Sequence, residues 1–244
     1  MKQCKTMAIL FAILLAIIGI LLYLLIMSER MSHSIERALH NRGIVTMQES
    51  HRPDYWTEKA WENTILQLHE SFEVAFVGDS HIYNGDFQSE FTNINIINIG
   101  CSGSTVADLL RRIKMLQGIN AKKVFIMSGA NDLLSDSIQE FIANYENLVK
   151  EIKKYMSEPS IYILSILPMN EDAGRKQIDD KDIQCVNDKL NNLCIKDKCL
   201  YIDLYACIVE NGELPKVYSK DGLHLNQEGY KVIMDALREY VVNK

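Results

Sequence analysis

The chain has 244 residues, 48% hydrophobic and 24% charged, enough for one globular domain with a segment to spare. A formal net charge of −6 removes the electrostatic case for nucleic acid as a partner. The sequence holds no internal repeat and no low-complexity tract, which excludes repeat architectures.

The first element is "MAILFAILLAIIGILLYLLIM", Met7 to Met27, 21 residues without a charge. About 20 apolar residues span a bilayer as a helix. A cleaved signal peptide has a shorter apolar core and a small-x-small cleavage site, and "LIMSER" offers Ile26 where a small residue is needed. Residues 1–27 are therefore expected to be an uncleaved membrane anchor. Lys2 and Lys5 precede the run, and Arg30, Arg37 and Arg42 follow it, so basic residues do not set its orientation. A single amino-terminal anchor usually exports the domain behind it, so the expectation is a single-pass protein with its domain outside the cytoplasm.

Residues 28–70 read as a helical neck, in which Trp56, Ala60, Trp61, Ile65 and Leu68 recur at helical spacing. Residues 71–244 form the domain. Apolar runs with strand character are "FEVAFV" (72–77), "INIINI" (94–99), "KVFIM" (123–127), "IYILSI" (161–166) and "LYIDL" (200–204). Helical stripes lie between and after them. Val106, Leu109, Leu110, Ile113 and Leu116 make one, ended by Gly118. Ile138, Phe141, Tyr145, Leu148, Ile152 and Tyr155 make the next, stopped near Pro159. Ile183, Val186, Leu190 and Leu193 follow, then Tyr230, Ile233, Leu237, Tyr240 and Val241. Each stripe buries one helix face against a sheet. The alternation predicts an α/β fold, a parallel sheet covered by helices on both sides.

The cysteines give two options. Cys4 precedes the apolar run and cannot pair across a membrane. Cys194 and Cys199 in "CIKDKC" either close a small loop in an exported domain or are buried thiols. The spacing is poor for zinc.

In open parallel sheets, ligands bind beyond the carboxyl ends of the strands. The first strand is followed there by "GDSH", the second by "GCSGST", the third by "SGANDL" and the last, at some distance, by "DGLHLNQEG". A serine hydroxyl needs a positioned base to attack at neutral pH. A histidine oriented by a carboxylate supplies it. Asp221 and His224 lie in a turn with Gly222 between them, before a helix that Asn226 can cap. That spacing lets Asp221 reach His224 Nδ1 and leaves Nε2 for Ser80. His81 follows Ser80 directly, so the two side chains tend to diverge. Its expected roles are packing at the site rim or contact with substrate. Gly103, Asn131 and the Ser80 amide are candidate donors to an oxyanion. Gly100 is expected to make a tight turn, and Asp79 to fix its loop by local hydrogen bonds.

These blocks resemble the SGNH hydrolases, also called the GDSL esterase/lipase family. "FVGDSH" is similar to the first block, with Ser80 as nucleophile. "NIGCSGST" is similar to the second, with Gly103 as oxyanion glycine, and "GANDL" to the third, with Asn131. "DGLHLNQEGY" resembles the fifth, with Asp221 and His224. The likeness runs from Phe72 to Val242. It departs at His81, where the family usually has leucine. The resemblance implies a flavodoxin-like three-layer α/β/α domain with five parallel strands and a shallow site. It implies hydrolysis of carboxylic esters, often O-acetyl groups on polysaccharides, and needs no metal or organic cofactor. The expected substrate is a small ester or O-acylated glycan. Two alternatives share the scaffold: an O-acyltransferase using the same triad, and a non-catalytic glycan-binding module. A third is a surface structural protein in which the anchor and neck matter most. The oligomeric state is not readable from the sequence.

Overall fold

A computed structural model describes residues 72–134, 137–174 and 178–243. The expected anchor (1–27) and neck (28–70) lie outside the described residues. Among the described residues, no helix is long and apolar enough to cross a membrane.

The chain runs β1 (Val74–Gly78), α1 (Ser80–Tyr83), α2 (Phe87–Glu90), β2 (Ile96–Gly100), α3 (Val106–Arg112), β3 (Lys123–Met127) and α4 (Ile138–Tyr155). It continues through β4 (Ser160–Leu164), α5 (Asp180–Asp197), β5 (Leu200–Ile202), α6 (Leu204–Ile208) and α7 (Gln227–Val242). Five strands make one sheet in the order β2-β1-β3-β4-β5, and every pairing is parallel. This is the flavodoxin-like order, as expected.

Side chains of successive strand residues point to opposite faces. Ala75, Val77, Val124, Ile126, Ile161 and Ile163 therefore pack on one side, against Phe141, Leu148 and Ile152 of α4 and Val186 and Leu190 of α5. Val74, Phe76, Phe125, Tyr162 and Leu164 pack on the other, against Phe87 of α2 and Ile233 and Leu237 of α7. The register sets Phe76 opposite Phe125 and Phe125 opposite Tyr162. Their rings stack at 5.0 and 4.4 Å between centroids, and Phe87 stacks on Phe76 at 3.8 Å. Such pairs contribute about 0.5–1.5 kcal/mol each beyond area burial.

Caps fix where the helices begin. Ser137 and Glu140 form a reciprocal capping box at α4, and Thr105 and Asp108 do so at α3. Asn226 caps α7 by accepting from the Gly229 amide at 3.1 Å, as its position predicted.

Two elements depart from the sequence pattern. The stripe from Val106 to Leu116 is not one α-helix: α3 stops at Arg112 and a 3-10 helix runs from Ile113 to Gly118. Buried Ile113, Leu116 and Ile119 are spaced by three, and a 3-10 helix brings that spacing onto one face. "LYIDL" is a strand only as far as Ile202. Asp203 then caps α6 by accepting from the Ala206 amide at 3.0 Å. Cys194 and Cys199 are both free thiols. Burial pushes the Cys194 thiol up to about 12.

Candidate active site

The site forms at the carboxyl end of β1, which β2 and β3 flank. There the chain runs to one side of the sheet for β2 and to the other for β3, opening a crevice. β1 ends at Gly78. Asp79 then caps α1, with Oδ1 accepting from the His81 amide at 2.9 Å. This is the local role the sequence predicted for it. Ser80 is the first residue of α1, where a backbone N–H has no intrahelical acceptor. Gly100 does not serve a turn, as was expected. A Cβ there would come within 2.3 Å of the Tyr83 nitrogen. Glycine is needed because the backbone of α1 lies directly on the end of β2.

The histidine turn runs from Ser219 to Asn226. Gly222 adopts φ +75°, and a Cβ there would sit 2.1 Å from Asn170 Oδ1. The fold thus requires glycine for both conformation and space. The Ser219 hydroxyl donates to the His224 carbonyl at 2.8 Å and lies 3.2 Å from Asp221 Oδ1. Asp221 Oδ1 accepts the backbone N–H groups of Leu223 (3.0 Å) and His224 (2.8 Å). Its Oδ2 accepts from His224 Nδ1 at 2.7 Å. His224 Nε2 meets Ser80 Oγ at 3.1 Å, across 144 residues of sequence.

The electrostatics match this geometry. Desolvation raises the Asp221 carboxyl. The hydrogen bonds from the His224 ring and from the His224 and Leu223 amides outweigh it and hold the carboxyl well below the usual carboxylate range. A permanent carboxylate selects the His224 tautomer with its proton on Nδ1. Nε2 then carries a lone pair facing the serine hydroxyl.

The structure joins Ser80, His224 and Asp221 by hydrogen bonds. It places Gly103 and Asn131 on the two flanking loops. Gly103 has φ +75° in the loop after β2. Asn131, after β3, donates from Nδ2 to the Ser104 carbonyl at 3.0 Å, so the two loops are tied to each other. Behind them, buried Asp132 accepts the Val106 amide at 2.9 Å. The Tyr145 hydroxyl donates to the Ser128 carbonyl at 2.8 Å.

A family model, the GDSL-like lipase/acylhydrolase family, matches residues 76–232. The chain belongs to this family. Among solved structures, a GDSL-like lipase from Bacteroides thetaiotaomicron shares 21% identity at TM-score 0.63, over 77% of this chain and 97% of that one. An acetyl xylan esterase shares 20% at TM-score 0.60, over 71% and 100%. At these identities the likeness is one of fold. Curated relatives are N-acylneuraminate cytidylyltransferases. That of Escherichia coli O18:K1:H7 is 29% identical over 174 residues, 69% of this chain and 40% of the relative. One from Streptococcus agalactiae is 22% identical over 164 residues, 66% and 38%. The chain thus spans about two-fifths of the length of these relatives.

Within this GDSL-family site, His81 is 3% exposed and packs against the histidine turn, the first of the two roles expected of it. Its side chain does diverge from Ser80, and Nε2 lies 3.0 Å from the Leu223 carbonyl oxygen. Nδ1 lies 3.4 Å from Asp79 Oδ1. Asp86, on the chain beyond His81, caps α2 by accepting from the Ser89 amide at 3.3 Å. The short helix α1 instead folds Asp79, two residues back, onto the ring. Ser219 and Leu223 carry no sequence signal of their parts in the site. A serine two residues before an aspartate signals a turn, but not which atoms it joins.

Proposed function

We propose that this protein is a serine esterase acting on carboxylic esters through Ser80, His224 and Asp221. The observation that carries the proposal is the unbroken run of hydrogen bonds from Ser80 Oγ through the His224 ring to Asp221. His224 Nε2 takes the hydroxyl proton as Ser80 Oγ bonds to the ester carbon. The carbonyl electrons move to its oxygen, and the oxyanion is held by N–H groups of Gly103, Asn131 and Ser80. Asp221 stabilises the imidazolium. Collapse expels the alcohol, which takes the proton back from Nε2. Water repeats the cycle on the acyl-serine and releases the acid. If a sugar hydroxyl takes the place of water, the same steps make an acyltransferase.

A short acyl or O-acetyl ester on a carbohydrate is the substrate class best supported. The structural neighbours include an acetyl xylan esterase, and the curated relatives are named for a sugar, N-acylneuraminate. Tyr83, exposed at the end of α1 three residues after Ser80, offers an aromatic face on which a pyranose ring can stack. The uncharged run Met7–Met27 supports a membrane-tethered enzyme with this domain exported.

The test is hydrolysis of p-nitrophenyl acetate by the full chain, followed by a panel of O-acetylated xylan and neuraminate sugars. Ser80→Ala should lower kcat at least about 10³-fold. Equal turnover by wild type and Ser80→Ala would sink the proposal. Transfer of acetyl to an added sugar in preference to water would favour the acyltransferase.

A further inference from the structure

The nucleophile turn and the histidine turn are joined twice. One link is the Ser80–His224 contact itself. The other is the His81–Leu223 contact at 3.0 Å, 142 residues apart in sequence. A carbonyl oxygen only accepts, so His81 Nε2 carries the proton and donates it. Leu223 O and His224 N belong to the same peptide unit. Its carbonyl edge is held by His81, and its N–H edge by Asp221 Oδ1 at 2.8 Å. The rigid plane that carries the His224 Cα is thus gripped from both sides.

His81 is itself held firmly. It is almost fully buried. Its amide donates to Asp79 Oδ1 at 2.9 Å, and that same oxygen faces its Nδ1. The Tyr230 hydroxyl on α7 donates to its carbonyl at 2.7 Å. The grip on the Leu223 carbonyl therefore comes from β1 and α1, the elements that present Ser80. The leucine expected at this position from the family resemblance has no proton to donate.

We propose that His81 is a positioning residue: by donating to the Leu223 carbonyl it sets where His224 Nε2 stands relative to Ser80 Oγ. The proposal rests on the reading of Ser80 and His224 as nucleophile and base. His81 does not touch the reacting atoms, and its ring centroid is 5.9 Å from that of His224. It acts through the peptide that it holds. A catalytic group misplaced by an ångström costs about 10²-fold in rate.

The test uses the full chain, with steady-state hydrolysis of p-nitrophenyl acetate and the rate of Ser80 labelling by a fluorophosphonate. His81→Leu should lower kcat and the labelling rate about 10- to 100-fold, with KM changed less than about twofold. His81→Gln, whose amide N–H can reach the same carbonyl, should restore kcat to within about threefold of wild type. Unchanged kcat and labelling in His81→Leu would overturn the proposal. So would a loss in His81→Leu that well-folded His81→Gln fails to repair, since that is loss of packing alone. Should His81→Leu not fold, His81→Gln decides: near-normal kcat supports the proposal, and a loss above about tenfold overturns it. Absence of labelling in wild type would instead break the reading of Ser80 on which the proposal rests.

Discussion

Two aspartate–histidine pairs stand side by side at the carboxyl end of β1, and they differ in exposure and in the atom that each histidine faces. In the first, the Asp79 and His81 side chains are both nearly inaccessible, at 2% and 4% exposure. In the second, the Asp221 and His224 side chains are 56% and 38% exposed. Each histidine turns Nδ1 to its aspartate, at 3.4 and 2.7 Å respectively. The difference lies at Nε2. His81 faces a carbonyl oxygen, which can only accept, so its Nε2 is committed as a donor. His224 faces a hydroxyl, which can donate, so its Nε2 is available as a base. On the proposed reading, a histidine beside a carboxylate serves as a base or a brace according to the atom on its far side. The exposure fits the proposed roles, in which substrate and water must reach His224 and need not reach His81.

His224→Ala should produce the largest effect on this contrast. It removes the only base facing Ser80 among the described contacts, and kcat should fall about 10³-fold or more in ester hydrolysis. A small loss there, with a large one at His81, would reverse the assignment of the two pairs.

Asp221→Asn comes next, at about 10² to 10⁴-fold in kcat, because an amide no longer selects the Nδ1–H tautomer. The pH dependence sharpens this. The Asp221 carboxyl is held well below the usual carboxylate range, so it stays ionised through mildly acidic pH. Its lowered value adds stability that is fully present above the unfolded carboxyl's value of about 4. That stability is lost only as pH falls below 4 toward the folded value. Stopped-flow activity after a drop to about pH 4, where an ordinary aspartate is about half protonated, should therefore show no loss traceable to Asp221 protonation. A wild-type profile whose acidic limb coincides with an aspartate of ordinary pKa would contradict this.

The smallest expected effect concerns the exposed pair's turn. Gly222→Ala forces a side chain into φ +75° and against Asn170, and should destabilise the domain by more than about 1 kcal/mol. Thermal melts of the purified protein measure it. An unchanged melting temperature would mean that the turn relaxes without Gly222.

Much of the fold is legible in the residues alone. The strands "FEVAFV" and "KVFIM" announce themselves by β-branched and aromatic runs, and the stripe from Ile138 to Tyr155 by its 3.6-residue period, matching α4 end to end. Asp221, Gly222 and His224 are legible because their interaction is local. The boundary of α3 is not, because a stripe of Val and Leu fits α and 3-10 winding until packing selects one. α6 is hidden because "DL" reads equally as the end of a strand or as a cap and first turn. The partner of His81 is hidden for a related reason. It is the Leu223 backbone carbonyl, an atom that every residue carries and no sequence pattern marks.

The sequence by itself determined the parallel α/β rhythm, the loops that carry Ser80, Gly103, Asn131, Asp221 and His224, and the family those blocks resemble. These follow from periodicity and from chemistry written in side chains a few positions apart. Only the tertiary structure decided that His224 Nε2 meets Ser80 Oγ, that Gly100 yields room to α1, and that His81 lies against a backbone carbonyl. Each of these depends on distances between segments remote in sequence. The sheet order and the packing of α1 and α7 set those distances, and the identity of neighbouring residues does not.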